Sequence, residues 1–357
     1  MYSSPPPPPR SNGCLWATIV FLSLLLILLL VGSFLFNAVM TVGISSLGDL
    51  SSMEGITGTP KARHKFEESL EEPGKADSKD RIVRIDLEGI IMSGGGAEGL
   101  FSQGMPMVEK IKRSLEQAVK DDRVKAIVLR VNSPGGEVTA SDIMYAAVKA
   151  AAKVKPVVVY MDSIAASGGY YISCGATQIV ATETTLTASI GVIMESLSYH
   201  GLFDKVGLGM NTFTSGPLKD TLNGARPMRP EERDYIQGLV NGMYDRFLTV
   251  VAEGRHLQKE DLRKGIADGR VVSGADALKA KLVDKIGYVE DAYKLARELG
   301  KAPDAMVVKY SRSSGLFDLF GAEAESRSKV ELQLPGPAML PKLLPGQMYY
   351  LPETFAH

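Results

Sequence analysis

The sequence predicts an α/β domain built on a largely parallel sheet. Three observations carry that prediction. From residue 81 onward, short β-branched runs alternate with helical runs. Two of the apolar runs end in glycine turns, at 132–136 and 166–169. Successive strands are separated by stretches that suit crossover helices and not tight hairpins.

The whole chain sets the bounds. Its 357 residues carry a formal net charge of −1, with 45% hydrophobic and 23% charged residues, ordinary values for a globular protein. That balance gives no reason to expect a nucleic-acid partner. The two cysteines, Cys14 and Cys174, lie far apart, so neither a disulfide framework nor a zinc site is indicated. The four histidines are scattered, with no His-Glu-x-x-His pattern. Neither a metal nor a cofactor is expected.

Residues 1–14 form a proline-rich tail, Pro5 to Pro9 followed by Arg10. Residues 15–36 carry no charge and, as a helix, span roughly 33 Å, enough to cross a bilayer core. A cleaved secretory signal has an apolar region of only about 7–15 residues, so a retained transmembrane helix is expected. A lipoprotein signal fits poorly, because Cys14 precedes the run. Arg10 lies before it and Asp49 and Glu54 after it. The positive-inside tendency then leaves the tail cytoplasmic and the rest on the periplasmic or extracellular side of an inner or plasma membrane. Residues 37–80, first rich in Gly and Ser and then charged, read as a linker.

The folded domain is expected over 81–310. Residues 81–87 alternate as a first strand, and 89–104 form a glycine-rich loop. Val108, Ile111, Leu115, Ala118 and Val119 share one face of a helix. Residues 124–131 and 156–161 read as buried strands, with an alanine-rich helix over 139–154 between them. A short helix over 170–176 and strands at 178–182 and 188–193 follow. Residues 212–215 form a short strand or loop, ending in the turn 216–220. Pro230 with Glu231 and Glu232 opens a long helix that ends near Gly254. Helices at 260–266, 274–280 and 290–299 complete the domain. Residues 311–357 lose regularity, with prolines among leucines and tyrosines, and read as a tail.

In a parallel sheet both glycine turns lie at carboxyl ends of strands, on one edge, where sites form. Ser167 sits where a strand hands over to a helix, between Ala165-Ala166 and Gly168-Gly169. Small neighbours let another backbone approach the hydroxyl. The free N–H groups of a helix start can stabilise an oxyanion. Taken alone, Ser-Gly-Gly before a helix is a cap and a turn. With donors from a second glycine turn beside it, it becomes a workable acyl-transfer arrangement.

Four segments in order then resemble the signal peptide peptidase A family, serine proteases of the Clp protease/crotonase superfamily. Arg130-Val131-Asn132-Ser133-Pro134-Gly135-Gly136 is similar to its oxyanion segment, and Ala165-Ala166-Ser167-Gly168-Gly169-Tyr170-Tyr171 to its nucleophile segment. Thr187-Ala188-Ser189-Ile190-Gly191-Val192-Ile193 resembles the segment lining its substrate groove. Gly269-Arg270-Val271-Val272-Ser273-Gly274, with Gly287 after Leu282-Val283-Asp284, resembles a late helical motif. The similarity covers about residues 81–300. It implies a Clp protease/crotonase-like fold of repeated β-β-α-type units, preceded here by one transmembrane helix. It also implies Ser167 as nucleophile, Lys219 as general base, and Gly168 with Gly135 or Gly136 as oxyanion donors. Ala188, Ser189, Ile190, Gly191, Val192 and Ile193 would bind substrate. The family often shows Gly-Lys-x-Lys-Asp at the base. Here Pro217 replaces the earlier lysine, leaving Lys219 as the candidate. A free lysine is protonated at neutral pH, so a basic lysine must be desolvated or placed near positive charge. The resemblance further implies signal peptides and similar apolar peptides as substrates. It implies a homo-oligomer, a ring of eight, whose active sites are shared between adjacent subunits.

Three other readings stand beside this one. A Ser-His-Asp hydrolase would use His200 with Asp204 or Asp220. A crotonase-like enzyme would act on acyl-CoA, which an exported, anchored domain argues against. An oligomeric membrane scaffold would carry an inactive site. Finally, the extended apolar stretch 347–351 resembles a substrate and is expected to dock in the active-site groove and restrain activity.

Overall fold

A computed structural model describes residues 65–75, 78–94, 105–311 and the backbone of 349–350. The strands, in chain order, are β1 (Glu67–Glu72), β2 (Arg81–Glu88), β3 (Val124–Ser133), β4 (Gly136–Glu137), β5 (Val157–Ala166), β6 (Gln178–Ala181), β7 (Leu186–Ala188), β8 (Val271–Ser273), β9 (Lys285–Ile286), β10 (Met306–Ser311) and β11 (Tyr349–Tyr350). The helices are α1 (Met107–Lys120), α2 (Val138–Ala152), α3 (Gly168–Ser173), α4 (His200–Val206), α5 (Pro230–Arg255), α6 (Lys259–Lys264), α7 (Gly274–Lys279) and α8 (Val289–Leu299).

A nine-stranded sheet runs β1-β10-β2-β3-β5-β6-β9, with β7 beside the far end of β5 and β8 beside β7. The pairs from β10 to β9 are parallel, as is β5 with β7; β1–β10 and β7–β8 are antiparallel. Parallel neighbours need crossovers, and α1 and α2 supply those into β3 and β5. β3 is buried on both faces, which its near-continuous apolar run anticipates. Ile127, Leu129 and Val131 join the larger core with α1, α2, α3 and the end of α5. Ala126 and Val128 join a second core, covered by Ala292, Tyr293 and Ala296 of α8. Arg130, near the carboxyl end of β3, pairs with Glu88 of β2 and Asp162 of β5. Three strand ends are thereby tied together just before the glycine turns.

The long helix α5 has two unlike halves. Its carboxyl half is buried through Phe247, Leu248, Val250 and Val251. Phe247 packs on Tyr171 of α3, ring centroids 5.0 Å apart. At Gly254 the helix approaches so closely that a Cβ would stand 2.3 Å from the carbonyl oxygen of Cys174. Towards the amino end, Tyr235 and Met243 are exposed. The preceding segment is more exposed still: α4 buries no residue, Leu197 is 79% exposed and Phe213 96%.

The boundary of the linker is corrected. Residues 67–72, expected within it, are the edge strand β1, registered on β10 from Glu67 opposite Ser311. Phe66 is buried and stacks on Tyr310 at 6.1 Å. The Gln117 amide exchanges hydrogen bonds with the Phe66 backbone, at 2.9 and 3.0 Å. β1 itself is exposed along most of its length, so it carries charges where a buried strand would carry an apolar alternation. β7 also ends earlier than expected: Ala188 and Ser189 have φ of 64° and 52°, which breaks the extended run. Residues 212–215 form no strand. Among the described residues no helix is long and apolar enough to cross a membrane. The apolar run 15–36 lies outside them.

If Phe66 belongs to the core, Phe66→Ala should lower unfolding stability by about 3 kcal/mol in urea titration. An unchanged midpoint would place residues 65–72 outside the cooperative unit.

Candidate active site

The site is built where β3 and β5 end. Their register sets Ser133 beside Ala165. The serine turn after β5 therefore lies directly against the glycine turn after β3. Asn132 reinforces the pairing by accepting from Ile164 N at 3.4 Å.

Ser167 stands between β5 and α3 with φ 51° and ψ −113°, outside the regions that non-glycine residues ordinarily occupy. Its N–H donates to Ala188 O at 2.8 Å, and its carbonyl accepts from Tyr171 N at 2.8 Å. Both backbone bonds fix the turn. The side chain is fully buried, and Oγ has no hydrogen-bond partner among the described residues. A buried hydroxyl without a partner costs about 1–3 kcal/mol. Such a group at a strained strand-to-helix turn is a sign of a reacting atom more than of a structural cap.

The glycine turns meet backbone to backbone. A Cβ on Gly168 would lie 3.2 Å from Gly135 Cα and from Gly136 N, and 2.5 Å from Ser141 Oγ. One on Gly136 would lie 2.1 Å from Ile91 O, and the residue has φ +156°. Ile91 is laced to the turn, donating to Gly135 O and accepting from Glu137 N, both at 2.8 Å. The Glu137 carboxylate in turn accepts from Ser93 N and Oγ at 2.8 Å. Gly135 donates its own N–H to Ser133 Oγ at 3.1 Å. Gly168 opens α3, so its N–H has no intrahelical acceptor. The Gly135 N–H is thus engaged within its own turn, while Gly168 lies against the backbone of Gly135 and Gly136.

Of the residues expected to bind substrate, Ala188, Ser189 and Ile190 are buried, and Gly191, Val192 and Ile193 are half-buried. β11 pairs antiparallel with β4, Tyr349 opposite Glu137 and Tyr350 opposite Gly136. The backbone of residues 349–350 therefore lies along β4, beside Gly136.

Lys219 is not brought to Ser167 within one chain. It is exposed, on the turn before α5, and its side chain makes no hydrogen bond or ion pair among the described residues. His200, at the start of α4, has Nδ1 2.9 Å from Ser198 Oγ and makes no ion pair with a carboxylate among the described residues. Asp220 is engaged by Arg226 instead. Cys174 offers no alternative nucleophile, because burial pushes its thiol up to about 12.

Sequence reasoning did not single out Ile91 or Arg226, and it placed Arg130 and Ser133 in the glycine-turn segment without the contacts they make there. Their contacts are long-range or cross a turn. The one local sign was Ser133 standing two residues before a glycine whose N–H it accepts.

Comparison with known proteins gives a consistent picture. The model of peptidase family S49 matches residues 149–302, and that of Clp protease matches residues 104–188. A provisionally named protease of Methanocaldococcus jannaschii is 42% identical over 224 residues, 62% of this chain and 72% of its own length. A protein of Enterococcus faecium, provisionally named signal peptide peptidase SppA, is 39% identical over 252 residues, 70% of this chain and 71% of its own. The chloroplastic serine protease SPPA of Arabidopsis thaliana is 34% identical, over 74% of this chain and 39% of its own.

The contact of Gly136 with Ile91 makes the turn intolerant of a side chain. Gly136→Ala keeps the N–H but must displace the turn from Ile91, and in protein whose thermal midpoint is preserved it should lower kcat for peptide hydrolysis by about 100-fold or more, the size of one misplaced oxyanion donor. Unaltered kcat would remove this amide from the chemistry.

Proposed function

The chain belongs to peptidase family S49, the signal peptide peptidase A family of serine proteases, with a Clp protease-like α/β fold, and on that premise we propose that it is a membrane-anchored endopeptidase with a Ser167–Lys219 dyad. The observation that carries this reading is the buried, unpartnered Oγ of Ser167, held at a strained turn against the backbone of Gly135 and Gly136.

The chemistry follows from those groups. Lys219 Nζ, as the free amine, takes the proton of Ser167 Oγ while Oγ bonds to the substrate carbonyl carbon. The carbonyl π electrons move to oxygen, and the N–H groups of Gly168 and Gly136 hold that oxyanion. Collapse breaks the C–N bond, and the leaving amine receives the proton from Lys219. Water then gives a proton to Lys219 and attacks the ester. The acid departs and Ser167 Oγ regains its proton.

A lysine from a neighbouring subunit serves each serine in this proposal. Support comes from α5. Its buried half is fixed under α3, which Ser167 precedes, while its amino end, next to Lys219, lies about 25 Å along the helix from Phe247. The exposed apolar side chains of Leu197, Leu202, Leu208 and Phe213 on the same projection would be covered by another copy of the chain. A closed ring of such subunits, eight in the proposed form, would remove Lys219 from solvent and favour its neutral form.

Substrates are signal peptides and similar apolar peptides in or near the membrane, bound extended along β4, with Gly191, Val192 and Ile193 beside them. The run 15–36 anchors the chain in an inner or plasma membrane, the peptidase domain on the periplasmic or extracellular side. The tail competes for the strand edge that substrate needs, a role supported by the β11–β4 pairing.

Two experiments test this. Ser167→Ala and Lys219→Met subunits, each inactive alone, should regain activity when co-expressed, because about a quarter of randomly mixed shared sites hold both intact groups. No recovery in mixed assemblies would place both groups of a site in one subunit. Deleting residues 336–357 should raise turnover of an apolar peptide several-fold; unchanged turnover would count against restraint by the tail.

A further inference from the structure

Asp220 follows Lys219 directly in the chain. A carboxylate next to an ammonium is the ordinary partner that keeps a lysine protonated, the opposite of what a general base requires. In the structure that carboxylate is already bound from another side. Arg226 donates Nε to Asp220 Oδ2 and Nη2 to Oδ1, both at 2.8 Å, in a bidentate fork. Nη2 also reaches Asp220 O at 3.3 Å. The same guanidinium donates Nη1 to Glu232 Oε2 at 2.9 Å and Nη2 to Glu232 Oε1.

Glu232 is only 1% exposed and holds the arrangement to the first turn of α5. Its Oε2 accepts from Arg229 N at 3.0 Å, closing a capping box. The Arg229 side chain donates to Glu232 Oε1 and to Pro217 O, two residues before Lys219, and comes within 3.5 Å of Asp220 Oδ1. The hydrogen bonds from Arg226, first among the causes, hold both carboxyls below the usual carboxylate range.

Two arginines and two carboxylates therefore close on one another around the turn that carries Lys219. The segment before it packs on residues 222–224 through Ser196 Oγ to Leu222 O at 3.2 Å and Tyr199 N to Gly224 O at 2.8 Å. Its titratable groups His200, Asp204 and Lys205 make no hydrogen bond or ion pair with the turn, and neither do Glu231 and Arg233 of α5.

We infer that Arg226 is a positioning residue for the base: by binding the Asp220 carboxylate it keeps the neighbouring Lys219 amine free of a carboxylate from its own subunit. The inference rests on Lys219 being the base. It also accounts for the buried Glu232, which pairs with Arg226 from the far side and so fixes the fork's direction. A lysine beside an aspartate is a poorer base when that aspartate pairs with it, and here Arg226 occupies the aspartate.

The test is the pH dependence of kcat/KM for a fluorogenic apolar peptide, measured on the assembled full chain. Arg226→Met, which keeps the aliphatic stem, should lose about tenfold at pH 7 and move the acidic limb up by about one pH unit, the loss shrinking at higher pH. Adding Asp220→Asn should return the limb to its original position. A loss equal at every pH, or a limb that Asp220→Asn does not return, would overturn the inference. If Arg226→Met does not assemble, Arg226→Lys and Asp220→Asn alone decide: neither should raise the limb, and a raised limb in either overturns it. Lys219→Met separates the two levels. Retained activity there would sink the dyad itself, whereas its loss together with a pH-independent Arg226→Met defect would sink only the role of Arg226.

Discussion

Everything in the candidate site depends on one close approach, the contact between the glycine turn after β3 and the serine turn after β5. The parallel register puts Ser133 beside Ala165, and from there the two backbones have no room for a side chain at Gly136 or Gly168. The chain accepts a strained Ser167 and an unpartnered hydroxyl as the cost of that placement. The surroundings over-determine it. Arg130 binds the ends of three strands, Ile91 laces the first turn, and the Ala188 carbonyl holds the second. A local conformation of this energy persists only when the neighbouring structure leaves no alternative.

The second organising element is α5. It belongs to the core at one end and to the surface at the other. The buried end reads Tyr171, four residues after Ser167, through Phe247 and the Tyr171–Asp142–Arg246 hydrogen bonds. The exposed end is stabilised by charge instead of apolar burial, through Glu232 and its two arginines. One helix thus joins a hydrophobic anchorage to a polar one. In the proposed assembly it relates the nucleophile of its own subunit to the base it offers elsewhere.

Much of this was legible in the sequence, for definable reasons. β2, β3 and β5 are long, buried and β-branched, so their period and composition announce them. The glycine turns are legible because no other residue fits a backbone–backbone approach. β1 was hidden because an exposed edge strand carries glutamates, which look like linker. The end of β7 was hidden because nothing in Ala188 or Ser189 announces a positive φ. Glu232 was read as an acidic residue suiting a helix start; its larger role, gripping Arg226 six residues earlier, spans a turn that sequence period does not cover. The hydrogen bond from Gly135 to Ser133, which distinguishes the two glycines of the turn, is a three-residue contact that spacing alone does not show. Lys219 is exposed in the single chain, so the burial that a basic lysine would need has no counterpart in its surroundings here.

The two-ended helix has a mechanical consequence. A rod rooted at Phe247 and Gly254 magnifies any error at its root: a tilt of about ten degrees there moves Pro230 by about 4 Å. Reactive geometry tolerates misplacement of only about 1 Å before rates fall steeply. In the proposed assembly, Phe247, Tyr171 and Gly254 would therefore act as an alignment mount as well as core. Substitutions among them that leave the fold intact would then still detune the far end, so in that assembly the patch answers to accuracy of aim as well as to the free energy of packing.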